Sequence, residues 1–220
     1  MLLLGYSVEM YLKAGLARAY HGCREEVFDK DARRRFGHKL SALAGEIDYP
    51  LTTNSVADFD TLQQHILAGA RYPAAPETGQ SYADAVNDLT NAIWDRASFR
   101  RYCKLAAAIR KHVTKIDMDS NNPAIFKSLN IDQDGYLSFR LGGNLRTRIT
   151  YRPSTDMYEA GKTAPNDVRA LLDPTAHTVL LHYWDSARIV EDTLGRGRAA
   201  TALRQDAKGV AVWDCPTTRN

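Results

Sequence analysis

The stretch Gly5-Tyr6-Ser7-Val8-Glu9-Met10-Tyr11-Leu12-Lys13-Ala14 lies inside a run whose apolar residues recur at helical spacing, at Leu4, Val8, Tyr11, Leu12, Leu16 and Ala19. The pattern predicts a helix from Leu2 to about Tyr20. Glu9 precedes Lys13 by one helical turn, the order that supports a helix through an i,i+4 pair. His21-Gly22 then ends it, glycine being the usual residue just past a helix. The acid therefore stands in the apolar stripe of its helix.

Working outward, Glu25 to Phe36 reads as a charged connector whose Arg33-Arg34-Arg35 run is a solvated face. A second helix is expected from His38 to Ile47, stopping before Pro50. Thr52-Thr53-Asn54-Ser55 is cap chemistry for a third, from about Val56 to Ala70. Ser81 to Ile116 carries the longest helical pattern, with Ala85, Leu89, Ile93, Trp94, Phe99, Leu105 and Ile109 on its apolar face. Four helices in this half suffice for an up-and-down bundle.

Glu9 with Leu12-Lys13-Ala14, followed by Gly37-His38-Lys39-Leu40 at the start of the next helix, resembles the HEPN family. Those proteins are small helical bundles found in bacterial toxin–antitoxin pairs, nucleotidyltransferase partners and RNA-cutting defence systems. The resemblance covers residues 1–116 and implies one of two activities. In the first, the chain is a non-catalytic binding or partner module of a toxin–antitoxin or defence system, with Glu9 and Lys13 contacting a nucleotide, RNA or partner protein. In the second, it is a metal-independent endoribonuclease. There His38 moves the proton of the ribose 2′-hydroxyl, and Arg33 or Arg34 forks hydrogen bonds onto the phosphate. The structural alternative for His38 is that Gly37-His38 simply opens the helix, with an imidazole nitrogen satisfying a backbone N–H. The resemblance also implies a homodimer, with a toxin, antitoxin or nucleotidyltransferase partner.

Past Ile116 the composition changes. Tyr136–Arg140 and Arg146–Tyr151 alternate and are joined through Gly142-Gly143-Asn144, a hairpin signature. Arg140, Arg146, Arg148 and Arg152 stand near Tyr136, Phe139 and Tyr151, a mixture that can grip phosphates and stack bases, so the hairpin is a candidate RNA contact. Asn130, Asp132, Asp134 and Gly135 match part of a calcium loop, but Leu141 stands where the bidentate Glu belongs, and a tight turn explains the stretch better. A last amphipathic helix is expected from Thr175 to Leu194, with Val179, Leu180, Tyr183, Ile189 and Val190 as its stripe. The resemblance implies a helix ahead of the Glu-bearing one, so either the true start lies upstream, or another segment fills the vacant groove, with this last helix as the natural candidate, or a partner subunit fills it. A mobile basic tail follows from Gly195.

Apolar residues make up 44% and charged residues 25%, with a net charge of +3. That is ordinary globular composition, permitting nucleic-acid contact without arguing for it. Cys23, Cys103 and Cys215 are scattered, so neither a disulfide framework nor a zinc site is expected. His177 and His182 are spaced wrongly for a metal on one helix face, and no phosphate loop or dinucleotide fingerprint occurs. No metal and no cofactor is expected. The Leu-rich start lacks a basic lead and breaks at Gly5 and Glu9, and nothing approaches a membrane span, which predicts a cytoplasmic chain with no membrane partner. The expected fold is mainly α, with a HEPN-like bundle over 1–116, a β-hairpin and C-terminal helix over 117–194 packed on the same domain, and the tail over 195–220.

Overall fold

Apolar spacing at one face of Leu2–Ala19 makes it the first helix, α1, and buries Val8, Leu12 and Leu16 completely. The computed structural model describes residues 1–23, 25, 28–29, 32–69, 76, 78–191 and 212–214, without the side chains of 34, 68–69, 89, 92–94 and 212–214. A π-helical turn, Ala32–Phe36, leads into α2, Leu40–Glu46. Next comes α3, Thr53–Gln64, whose entry is a capping box between Thr52 and Ser55. It runs on into a second π turn, His65–Gly69.

The long pattern from Ser81 to Ile116 is two helices rather than one. Tyr82–Trp94 forms α4 and Arg96–Lys115 forms α5. Asp95 ends the first in extended conformation and caps the second, its carboxylate accepting the Ala97 N–H at 3.0 Å. Of the expected apolar face, Ala85, Leu105 and Ile109 are buried, but Phe99 is exposed.

The fold class expected from sequence is overturned. The chain is mixed α/β, with a five-stranded sheet where only a small hairpin was expected. The strands are β1 Ile125–Ile131, β2 Gly135–Leu141, β3 Arg148–Arg152, β4 Arg188–Glu191 and β5 Val212–Asp214, neighbours in that order. All pairs are antiparallel except β3 with β4, where Ile149 meets Ile189 and Tyr151 meets Glu191 in a parallel ladder. Three short helices fill the crossover between them: α6 Thr155–Glu159, α7 Pro165–Arg169 and α8 Thr178–Trp184. Parallel neighbours need such a crossover.

The expected helix from Thr175 to Leu194 is therefore corrected as well. It is the short α8 followed by a strand, because Ile189 and Val190 each bury a side chain in the sheet. It packs on that sheet, since Leu180 and Trp184 share one buried cluster with Leu137, Phe139, Ile149 and Ile189. The tail from Gly195 lies outside the described residues apart from β5.

The chain forms two compact units, Met1–Arg18 with Ala32–Ile116, and Ala19–Asp31 with Asp117–Asn220. Within the second unit, side-chain alternation divides the sheet into two chemically different faces. One carries Leu137, Phe139, Ile149 and Ile189 against α6, α7 and α8. The other carries Ser138, Arg140, Arg148 and Thr150, met by residues just past α1: Tyr20 lies under the Arg148 guanidinium at 4.1 Å, and Cys23 Sγ is 3.0 Å from Thr150 Oγ1.

Candidate functional site

Glu9 is 1% exposed on α1, yet its carboxylate is fully engaged. Lys13 Nζ donates to Oε1 at 2.5 Å, and His38 Nδ1 lies 3.1 Å from Oε1 and 3.0 Å from Oε2. The residues assigned from sequence to two different roles thus form a single cluster within the helical unit. The loop before α2 makes this possible. Gly37 sits at φ +51°, its N–H bonded to Ala32 O and the Lys39 N–H bonded to Phe36 O, which turns His38 back onto α1. A side chain at Gly37 would meet only the Arg33 carbonyl at 3.7 Å, so the glycine is there for its backbone angle and not for space.

The helix-opening role for His38 is not what the structure shows. α2 begins at Leu40, and the Leu40 N–H is accepted by Gln63 Oε1 from α3 at 3.3 Å. That frees the imidazole for Glu9. A carboxylate only accepts, so Nδ1 carries the hydrogen and the neutral ring presents the Nε2 lone pair. Nε2 has no hydrogen bond among the described residues, and the His38 side chain is 47% exposed. Lys13 is 32% exposed and retains donors beyond the one it gives to Glu9. Chemically, the cluster is an oriented imidazole beside an ammonium, with the counter-carboxylate hidden behind both.

Arg33 is exposed on the π turn, and the side chain of Arg34 lies outside the described residues. Arg35, the third of the run, points to the buried Glu46, with Nη2 3.9 Å from Oε2, and stacks over Phe36. The run is therefore not uniformly a solvated face.

The proposed RNA-gripping hairpin loses most of its residues to the interior. Arg140, Arg148 and Tyr151 are buried, Arg152 is partly so, and only Arg146 is exposed. Arg140 forms an ion pair with Asp117 and donates to Gly142 O at 2.8 Å, so it ties the β2–β3 loop to the chain entering the sheet. Burial raises the Tyr151 hydroxyl far above its ordinary value, with the neighbouring Glu191 adding to the effect. These groups hold the sheet together. The partial calcium loop is a β1–β2 turn in which Asp132 accepts the Ser154 hydroxyl and Asp134 accepts from Thr155. Among the described residues, no group of three or more His, Cys, Asp or Glu is placed to hold a metal ion.

Sequence reasoning missed Gln63 as the α2 cap and Asp117 as the partner of Arg140. Neither has a periodic signal, since each acts across a long stretch of chain. No protein family, no curated protein and no solved structure matches this chain. Among the described residues, no helix is long and apolar enough to cross a membrane.

Proposed function

We propose that the helical unit is a HEPN-like recognition module of a bacterial toxin–antitoxin or defence system, binding a phosphate group of an RNA or nucleotide through His38 and Lys13. One observation carries this reading: the buried Glu9 holds the His38 imidazole and the Lys13 ammonium at fixed positions while their outer edges stay open. Glu9 itself is too deeply buried to touch a ligand and acts as the positioning residue. A homodimer and a toxin or antitoxin partner belong to the same proposal.

A second reading, a metal-independent endoribonuclease using His38 with Arg33, is favoured by the ring itself. An imidazole oriented through Nδ1 by a carboxylate, with Nε2 open, is the arrangement a general acid or base needs. The burial of Arg140, Arg148 and Tyr151 takes away the surface that was to hold RNA for it.

The test measures binding and cleavage of a mixed RNA by the full chain in excess chelator, with His38→Ala alongside. Retention of RNA without cleavage, weakened in His38→Ala, supports recognition. Cleavage that survives chelator and disappears in the variant replaces it with the nuclease. Neither binding nor cleavage, with a nucleotide panel also silent, overturns both.

A further inference from the structure

The order of strands puts β1 at one edge of the sheet, paired with β2 only among the described residues. Its register runs without a bulge from Ile125 opposite Leu141 to Ile131 opposite Gly135. Every second residue of such a strand turns its N–H and C=O away from the neighbour. Among the described residues, no backbone hydrogen bond outside that ladder reaches β1. Edges of this kind are ordinarily blunted by proline, a bulge, charge or cover. Here Lys127 is the single charged residue, and Ile125 and Phe126 stand exposed.

A cavity of about 270 Å³ opens beside the same strand on the apolar face of the sheet. Leu129, Leu137, Leu171 and Leu172 form its walls, and Asp132 and His177 supply polar groups. His177 Nδ1 accepts the Asp173 N–H at 3.1 Å, so the hydrogen of the neutral ring sits on Nε2. Asp132 takes the Ser154 hydroxyl on Oδ2, while Oδ1 has no bond among the described residues. The polar side of the cavity therefore carries one carboxylate, that of Asp132, and the His177 ring.

We propose that β1 is a strand-addition site that pairs with an extended segment of a partner protein, seating an aliphatic side chain in the cavity and a neighbouring lysine or arginine against Asp132. Main-chain bonds to the edge supply affinity, and the cavity supplies selectivity, the division of labour seen in β-augmentation. Charge decides the occupant, because the Asp132 carboxylate beside an apolar hole disfavours nucleic acid and an acidic peptide alike.

The experiment pans the full chain against a random heptapeptide library and uses the best binder as a fluorescent probe. Enriched peptides should share an aliphatic residue with a basic one close by. Leu171→Lys, at a half-exposed position, should weaken the probe about tenfold or more by placing in the cavity wall a charge that opposes both its aliphatic and its basic residue, with the circular dichroism spectrum unchanged. N-methylation of alternate probe amides should abolish binding at one parity and spare it at the other. That change is on the peptide and cannot unfold the protein. No shared pattern, undiminished binding to Leu171→Lys, or indifference to N-methylation would each overturn the proposal. So would a concentration-dependent dimer whose formation the probe competes with, since a second copy would then be the occupant.

Discussion

At the scale of single residues, the position of His38 depends on a backbone angle that only glycine adopts freely. Gly37→Ala keeps the loop's contacts but forces φ +51° on an L side chain, which should cost about 1 kcal/mol by urea denaturation and weaken any His38-dependent RNA binding. Gly135 is constrained in a different way. A Cβ there would lie 2.7 Å from Ser154 N, 2.8 Å from Arg152 O and 2.9 Å from Ile131 O, all backbone atoms that cannot swing aside. Gly135→Ala should therefore cost more, roughly 2–3 kcal/mol on the same urea scale, as overpacking does. His65 makes a third residue-level test. Burial holds its imidazole below the ordinary 6.5, and the positive amino terminus adds to the shift. The unfolded chain then binds more protons just below that value, so stability rises with pH through the window and falls as acid is added. The urea midpoint measured between about pH 5 and pH 7.5 should climb, and His65→Gln should flatten that part of the climb. At this scale Glu9, Lys13 and His38 were each legible in the sequence, and so was the Glu9–Lys13 pair, but the joining of His38 to Glu9 was not. The Glu9–His38 contact spans 29 positions, and no periodicity crosses the connector between α1 and α2.

At the scale of elements, helices with a long periodic stripe were legible and short strands were not. α1 could be read because its apolar residues repeat over several turns. The split at Asp95 went unseen because no glycine or proline interrupts the run from Ser81 to Ile116, and only the cap chemistry of Asp95 marks the break. β4 is four residues, Arg188-Ile189-Val190-Glu191, too few to show alternation, and its stripe merges with that of α8 in a helical reading. Its pairing with β3 is parallel and non-local, a relation that local patterns do not encode. The hairpin arginines illustrate the same limit, since parity along β3 gives the face a residue occupies but not what covers that face. Arg140 shows the consequence. Removing it leaves the Asp117 carboxylate without its buried partner, so Arg140→Met should destabilise the sheet unit by about 3–5 kcal/mol despite conserving much of the volume. Asp117→Asn, which keeps an acceptor for the guanidinium, should cost distinctly less. Equal losses in the two variants, measured by chemical denaturation, would mean that the negative charge of Asp117, and not merely an acceptor at its position, is what the buried guanidinium needs.

At the scale of the molecule, composition and charge established only that the chain can bury a core, and they are silent on its having two. Leu12, Leu43, Phe59 and Ile109 are buried within the helical unit, and Leu137, Ile149, Val168 and Trp184 within the sheet unit. Each set suffices for a cooperative block of its own, and local opening follows such blocks. Leu43→Ala and Trp184→Ala test this as a pair, each expected to cost about 2–5 kcal/mol from lost burial and the cavity left behind. Native-state hydrogen exchange reads where that cost falls. If the units open separately, Leu43→Ala lowers protection in α1, α2 and α3 while leaving β2 and β3 protected, and Trp184→Ala does the reverse. A uniform drop across all elements from either substitution would instead mean that the chain opens as one body, and the RNA-binding and strand-addition readings would then have to be tested in every variant against a common loss of fold.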